Sequence, residues 1–346
     1  MNQNSTTPTA ALDAGAPVIL RNAGFKEYVT IARPDHWFKN IFMLPGMLFA
    51  YLIYKTPIDF DFFFKVVAGV TSTCLIASAN YVINEYLDAE FDRFHPVKNK
   101  RSAVQTKLNP AYVYLQWFVL SAVGLVIAYF INIQFLFTEA FLLFMGIMYN
   151  VKPFRTKDRV YLDVISESVN NPIRLALGWF IFVPAALLTG DSSDTLWSII
   201  PPASIILAYW MGGAFLMATK RFAEYRFIND PERAGLYRRS FKYYTEQNLL
   251  LSMFFYALTA TFFLGIFLIK HRIELLISFP FFALLFVWYL KIGLRQDSVV
   301  QGPEKLHHEK KFMAYVVAFT ILLMALLYID IPPLQWFLKQ SFQYAN

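Results

Sequence analysis

The sequence predicts an all-α polytopic membrane protein, a single bundle of nine transmembrane helices. Three observations lead there. Of 346 residues, 57% are hydrophobic and only 16% charged, where soluble domains sit nearer one quarter charged. The apolar residues collect into runs of the length a bilayer demands, roughly 20 residues of helix. The basic residues cluster in a few loops between those runs, as membrane proteins distribute Lys and Arg.

The runs lie at about 37–55, 63–86, 111–131, 133–150, 160–188, 195–219, 247–269, 274–293 and 312–330. No long polar insert separates them and no internal repeat stands out. The expected division is therefore a disordered polar tail at 1–25, one transmembrane domain at 26–335 and a short tail at 336–346. Residues 1–19 lack the charged start and apolar run of a cleavable signal peptide. With the N-terminus placed inside, 24 of the 31 Lys and Arg residues fall on the inner side, and the outer side carries the acidic turn 190–194. That asymmetry predicts a cytoplasmic N-terminus. It also explains the net charge of +7 through loops at a membrane, without nucleic acid. Membrane lipids are the expected surroundings.

Other chemistries are excluded. The one cysteine, Cys74, lies in an apolar run, and the five histidines have no metal-ligand spacing. No glycine-rich phosphate loop occurs.

Four clusters carry chemistry. At the end of the second run, Asn80, Asn84, Asp88 and Asp92 recur every four residues, which makes one stripe on a helix. Acids leaving an apolar helix need a polar cavity or a cation. Carboxylate and amide oxygens one turn apart suit Mg²⁺, which usually shares its ligands with substrate phosphates. Lys98, Lys100 and Arg101 follow, placed to hold phosphate oxygens. The plain alternative is a solvated helix end. In the fifth run, Asp163, Glu167, Asn170, Asn171 and Arg174 share a face, with Pro172 positioned to break or kink the helix. Here the alternative is a structural pair of Arg174 with Asp163 or Glu167. At the end of the sixth run, Lys220, Arg221 and Glu224 lie within a turn or so, and Gly212–Gly213 permit close helix packing. At the start of the first run, Arg33 and Lys39 bracket Trp37, equally readable as an interfacial aromatic with snorkelling cations. All four clusters fall at inner ends of helices. Together they describe a polyanion pocket with a metal site, above an apolar membrane cavity.

The string NEYLDAEFD, residues 84–92, resembles the N-D-x-x-D-x-x-x-D signature of the UbiA superfamily of intramembrane transferases. The strings RPDHWFKN, NEYLDAEFDRFHP, YNVKPFRTKDRVYLD and ATKRFAEY look most like the decaprenyl-phosphate phosphoribosyltransferase group within it. The resemblance spans residues about 30–310 and implies a UbiA-like helical bundle in the bacterial inner membrane, with the active site on the cytoplasmic side. It implies transfer of 5-phosphoribose from 5-phosphoribosyl-1-diphosphate (PRPP) to a polyprenyl phosphate, the usual setting being arabinan precursors for the cell wall. Asn84, Asp88 and Asp92 would hold Mg²⁺. Lys39, Lys98, Arg101, Lys152, Lys220 and Arg221 would hold phosphates. Tyr149, Asp163 and Glu224 would line the ribose side, Arg174 would contribute to substrate binding, and Asp88, Asp92 and Asp163 would be catalytic. Two departures stand out: Glu85 replaces the signature's second residue, and SESVNNPIRLALGW (residues 166–179) replaces a glycine-rich stretch. The alternatives are a UbiA-type prenyl transfer, with Asp163 and Glu167 as a second acidic motif, and a non-enzymatic lipid transporter. A homo-oligomer is compatible with either.

Overall fold

The computed structural model describes residues 21–184, 187, 199–296 and 298–338. The acidic turn 190–194 and most of both expected tails lie outside the described residues. Within the expected N-terminal tail, Arg21–Asn22 pair in parallel with Thr106–Lys107. Helix α1 (Phe25–Ile31) follows.

Seven helical segments among the described residues are long and apolar enough to cross a membrane. They are α3 (Phe60–Asp92), α5 (Pro110–Ile131), α6 (Ile133–Asn150), α9 (Ala203–Ile228), α11 (Glu246–His271), the segment Ile273–Gly293 that ends in α12 (Phe279–Gly293), and α13 (Lys310–Tyr328). Shorter helices are α2 (Leu44–Tyr54), α4 (Ser102–Gln105), α7 (Leu162–Ser168), α8 (Asn170–Phe182) and α10 (Pro231–Tyr237). Local chemistry sets several boundaries. Asp59 caps α3 by accepting from the Phe62 N–H at 2.8 Å. Asn132 alone separates α5 from α6 and caps the latter through the Phe135 N–H at 2.8 Å.

Two of the nine expected spans are not continuous helices of membrane-crossing length. The run expected at 37–55 is a 3-10 segment over Pro34–Met43 followed by the 11-residue α2. The run expected at 160–188 divides into α7 and α8. Pro172 gives the reason for the second break: its ring would clash with the carbonyl four residues back, that of Ser168, where α7 ends.

Two apolar cores flank the centre of the bundle. One joins α2, α3, α5, α6 and α8 through Met47, Ile76, Ala128, Leu142, Leu177 and Trp179. The other joins α9, α11, α12 and α13 through Phe215, Phe222, Met253, Tyr289 and Phe312. Close backbone approach holds α8 in place. A Cβ on Gly178 would lie 2.0 Å from the Met43 carbonyl oxygen, and one on Gly213 would lie 2.1 Å from Asn171 Nδ2. Gly213 is thus the member of the Gly212–Gly213 pair that packing requires. Most remaining large exposed side chains, such as Phe118, Phe130, Phe254 and Phe262, sit on helices whose outer faces suit lipid.

Candidate functional site

The stripe on α3 divides as it rises. Asn80 is used for packing and donates to the Leu142 carbonyl at 3.0 Å. Asn84 donates to Asn150 Oδ1 at 2.5 Å and to Asp88 Oδ2 at 3.3 Å. Asp88 Oδ1 meets Lys157 Nζ at 2.5 Å and Arg155 Nη2 at 2.9 Å. Asp92, one turn higher, takes Arg101 Nη1 at 2.7 Å. Glu85, the departure from the signature, is buried beside the Ala103 backbone, within electrostatic reach of Arg101 and Asp92.

The second acidic group closes around Arg221. Its guanidinium donates to Glu167 Oε2 at 2.5 Å and Glu224 Oε2 at 2.9 Å, and lies 3.4 Å from Asp163 Oδ2. Asp163 is fully buried, with Tyr244 Oη donating to it at 2.7 Å and Ser240 Oγ at 3.2 Å. Both its oxygens are therefore engaged, and it orients Arg221. Tyr149 Oη donates to Glu167 Oε2 at 2.7 Å. Lys98 Nζ donates to Glu224 Oε1 at 2.8 Å and also to Tyr237 Oη, which ties the loop after α3 to α9. Charges buried at this density hold only because each has its partner.

Lys220 lies within electrostatic reach of Glu224, Glu167, Lys98 and Lys39. Lys39 is half-buried, its Nζ 5.5 Å from the Tyr81 ring centroid. Beneath these groups lies a cavity of about 720 Å³, lined by Phe42, Leu48, Asn171, Tyr209, Gly213 and Phe286 among others. Its wall is almost entirely apolar, as a lipid chain requires.

Two expected substrate-binding residues make no ion pair with the site's carboxylates among the described residues. Lys152 is exposed, because the chain turns back only at Arg155, whose φ of 32° is left-handed. The turn directs Arg155 and Lys157, not Lys152, onto Asp88. Arg174 pairs with neither Asp163 nor Glu167. It donates to Asn40 Oδ1 at 2.9 Å and the Asn170 carbonyl at 3.3 Å, joining α8 to the 3-10 segment. Trp37, read as an interfacial anchor, donates to Ser78 Oγ at 2.8 Å.

Residues the sequence did not single out for this site are Asn150, Arg155, Lys157, Tyr237, Arg238, Ser240 and Tyr244. All but Asn150 come from loops or short elements, where no periodicity marks them. Arg238 donates to Tyr149 Oη at 3.3 Å and lies over the Tyr237 ring. Burial opposes its charge, but Tyr149, Tyr237, Glu224 and Asp163 hold its pKa well above the arginine value. Burial likewise opposes the charge on Lys98, and Glu224 outweighs it, so its pKa is raised. Burial wins at Lys157, which falls to about 8 although Asp88 opposes the shift. Burial and then Lys98 push His95 down to about 3.

Among the described residues, no group of three or more His, Cys, Asp or Glu side chains is arranged to hold a metal. Mg²⁺ does not need one, since it is commonly held by one or two carboxylates plus substrate phosphates. The all-oxygen donors of Asp88, Asp92 and Asn84 suit that mode. The Lys157 ammonium already stands in as a cation between Asp88 Oδ1 and Asn150 Oδ1, at 2.5 and 2.7 Å.

Fold and site together define an integral membrane protein with a charge-dense centre above an apolar cavity. The profile of the UbiA prenyltransferase family matches residues 42–305, and the chain belongs to that family. It is 28% identical over 240 residues to the decaprenyl-phosphate phosphoribosyltransferase of Mycolicibacterium smegmatis, covering 67% of this chain and 66% of that protein. It is 26% identical over 153 residues to an uncharacterised protein of Sinorhizobium fredii, covering 44% and 28% respectively. The chain thus spans just under two thirds of the first relative and about a quarter of the second. A UbiA homologue from Archaeoglobus fulgidus bound to DMAPP and Mg²⁺ shares the fold at a TM-score of 0.60, with 19% identity over 88% of this chain and all of that one. A structure of digeranylgeranylglyceryl phosphate synthase aligns at 0.55, with 15% identity over 87% and 96%.

Proposed function

We propose that this protein transfers 5-phosphoribose from PRPP to a polyprenyl phosphate and releases pyrophosphate, at the cytoplasmic face of a bacterial inner membrane. The observation that carries the reading is the surplus of cations. Lys98, Arg101, Arg155, Lys157 and Arg221 neutralise the carboxylates, and Lys220 and Arg238 add charge beyond them. PRPP carries a second phosphate at C5, and the acceptor carries another, so three anionic groups would share the site. The relative in Mycolicibacterium, named as a decaprenyl-phosphate phosphoribosyltransferase, supports the same acceptor class and the same transferred group.

In this reading Asn84, Asp88 and Asp92 hold Mg²⁺ with the diphosphate. When bound, the metal would offset charge developing on the leaving pyrophosphate. The chain's own residues do the rest. Lys98, Arg101 and Arg238 bind and orient the diphosphate, and their charges stabilise it as it departs. An oxygen of the acceptor phosphate forms a bond to ribose C1 as the C1–diphosphate bond breaks. That oxygen is already anionic, so no strong general base is needed. Tyr149 and Glu167, hydrogen-bonded to each other, would hold the sugar hydroxyls, while Asp163 keeps Arg221 in position. The apolar cavity takes the first part of the lipid chain.

A second reading is prenyl transfer from a prenyl diphosphate, favoured by the shared fold of the DMAPP-bound homologue. Donor dependence separates the two. Purified protein in detergent with Mg²⁺ and polyprenyl phosphate is expected to convert labelled PRPP into a labelled lipid. No lipid product from PRPP, with product from a prenyl diphosphate and an aromatic acid, would sink the phosphoribosyl reading.

A further inference from the structure

Two cations share Asp88, and they are not equally fixed. Arg155 meets Asp88 Oδ1 through Nη2 at 2.9 Å, the Asn150 carbonyl through Nη1 at 3.1 Å and Asp158 Oδ2 through Nε at 3.1 Å. All three faces of its guanidinium are engaged. Lys157 reaches the same carboxylate on a flexible four-carbon stem, with its ammonium against Asp88 Oδ1 and Asn150 Oδ1. Asn150 is oriented to present oxygen there: its Nδ2 donates to the Gly146 carbonyl at 2.8 Å, and its Oδ1 also accepts from Asn84. A charged carboxylate oxygen and an amide oxygen thus meet at one point, and a buried lysine fills it.

We propose that Lys157 is a tethered placeholder cation: its ammonium occupies the Asp88–Asn150 oxygen pocket until a divalent cation arrives with a diphosphate, and then turns to the diphosphate. The proposal rests on the reading that Asp88 serves a metal-bound diphosphate. Without an internal cation, Asp88 would keep Arg155 as its one ion-pair partner among the described residues, beside the long Asn84 hydrogen bond, and the buried Asn150 oxygen would lose a donor. With one, the pocket stays formed between turnovers, and the metal gains access only by exchange. Lys157 Nζ lies 5.6 Å from the Tyr149 ring centroid, so a short swing of the stem moves the charge toward the sugar and diphosphate side without leaving the site. The exchange also couples metal and diphosphate binding: the diphosphate gives the displaced ammonium a new anion.

The test measures binding, not turnover. Mn²⁺ is titrated into purified, substrate-free protein and free Mn²⁺ is read by electron paramagnetic resonance. Lys157→Met is expected to bind Mn²⁺ roughly tenfold more tightly than the unaltered protein, the size of a modest coupling between sites. Lys157→Gln, isosteric with less apolar character, is expected to follow it if the Met variant fails to fold by size-exclusion chromatography. Lys152→Met, altering an exposed lysine of the same loop, should leave the affinity unchanged. With Mn²⁺ saturating, inorganic pyrophosphate should bind the Lys157 variants more weakly. Equal, measurable Mn²⁺ affinity in the Lys157 variants and the unaltered protein overturns the placeholder and leaves the metal site standing. Absence of Mn²⁺ binding in every protein, with pyrophosphate present, overturns both.

Discussion

The two acidic regions of the site use the same chemistry in opposite ways. Around Asp88 and Asp92, the counter-charges come from loops: Arg101 from the segment after α3, and Arg155 and Lys157 from the turn between α6 and α7. Around Asp163, Glu167 and Glu224, the central counter-charge is Arg221, set within the C-terminal third of the long helix α9. The first region can exchange partners, because loop side chains move without breaking a helix. The second cannot, because any movement of Arg221 leaves three carboxylates without it. A transferase needs both: a place where an incoming cation and phosphate can replace internal pairs, and a frame that keeps its geometry meanwhile.

Substitutions sharpen that contrast. The largest effect is expected in the frame. Arg221→Met removes the counter-charge that Asp163, Glu167 and Glu224 share, and of the three only Glu224 keeps an ion pair among the described residues, with Lys98; the expected loss is about 3–5 kcal/mol. A melting temperature in detergent that stayed near that of the unaltered protein would show the frame is not what holds the helices. Asp88→Asn should behave differently, folding with little change in melting temperature while turnover falls on the order of 10²–10³-fold. Near-normal turnover in the purified variant would remove Asp88 from the chemistry.

A smaller effect concerns acid stability at the edge of the loop region. His95 Nδ1 accepts from the Val97 and Lys98 N–H groups at 3.1 and 3.2 Å, a role only neutral imidazole can fill. With the folded value near 3 and the unfolded value near 6.5, the unfolded chain takes the proton first as pH falls. This contribution is complete above pH ~6.5 and is lost toward pH ~3, by at most about 1.4 kcal/mol per pH unit. His95→Asn, which keeps a side-chain acceptor, should flatten the fall of melting temperature between pH 6.5 and 4. An unchanged pH profile would assign the acid sensitivity to other groups.

Much of this was legible in the chain. The four-residue spacing from Asn80 to Asp92 announced one helix face, and the Lys220–Glu224 cluster announced another. Pro172 announced the break between α7 and α8. These are local facts, settled by one turn of helix or one ring against one carbonyl. Lys152 and Arg174 were legible only as basic residues in suitable places; the structure leaves Lys152 exposed and bonds Arg174 to Asn40. In the first case a left-handed residue at 155 reverses the chain. In the second, Asn40, 134 positions away, supplies the acceptor.

The sequence by itself determined that the chain crosses a membrane, where most of its helices run, and which carboxylates stand together at their ends, because hydropathy and helical period are properties of neighbouring residues. Only the tertiary structure decided which cation meets which carboxylate. Asp88 faces Lys157 and Arg155, Glu224 faces Lys98, and Asp163 lies beneath Tyr244, each across 67 or more positions of chain. Such pairings depend on loop dihedrals and helix crossings brought together by burial, and no local pattern encodes them.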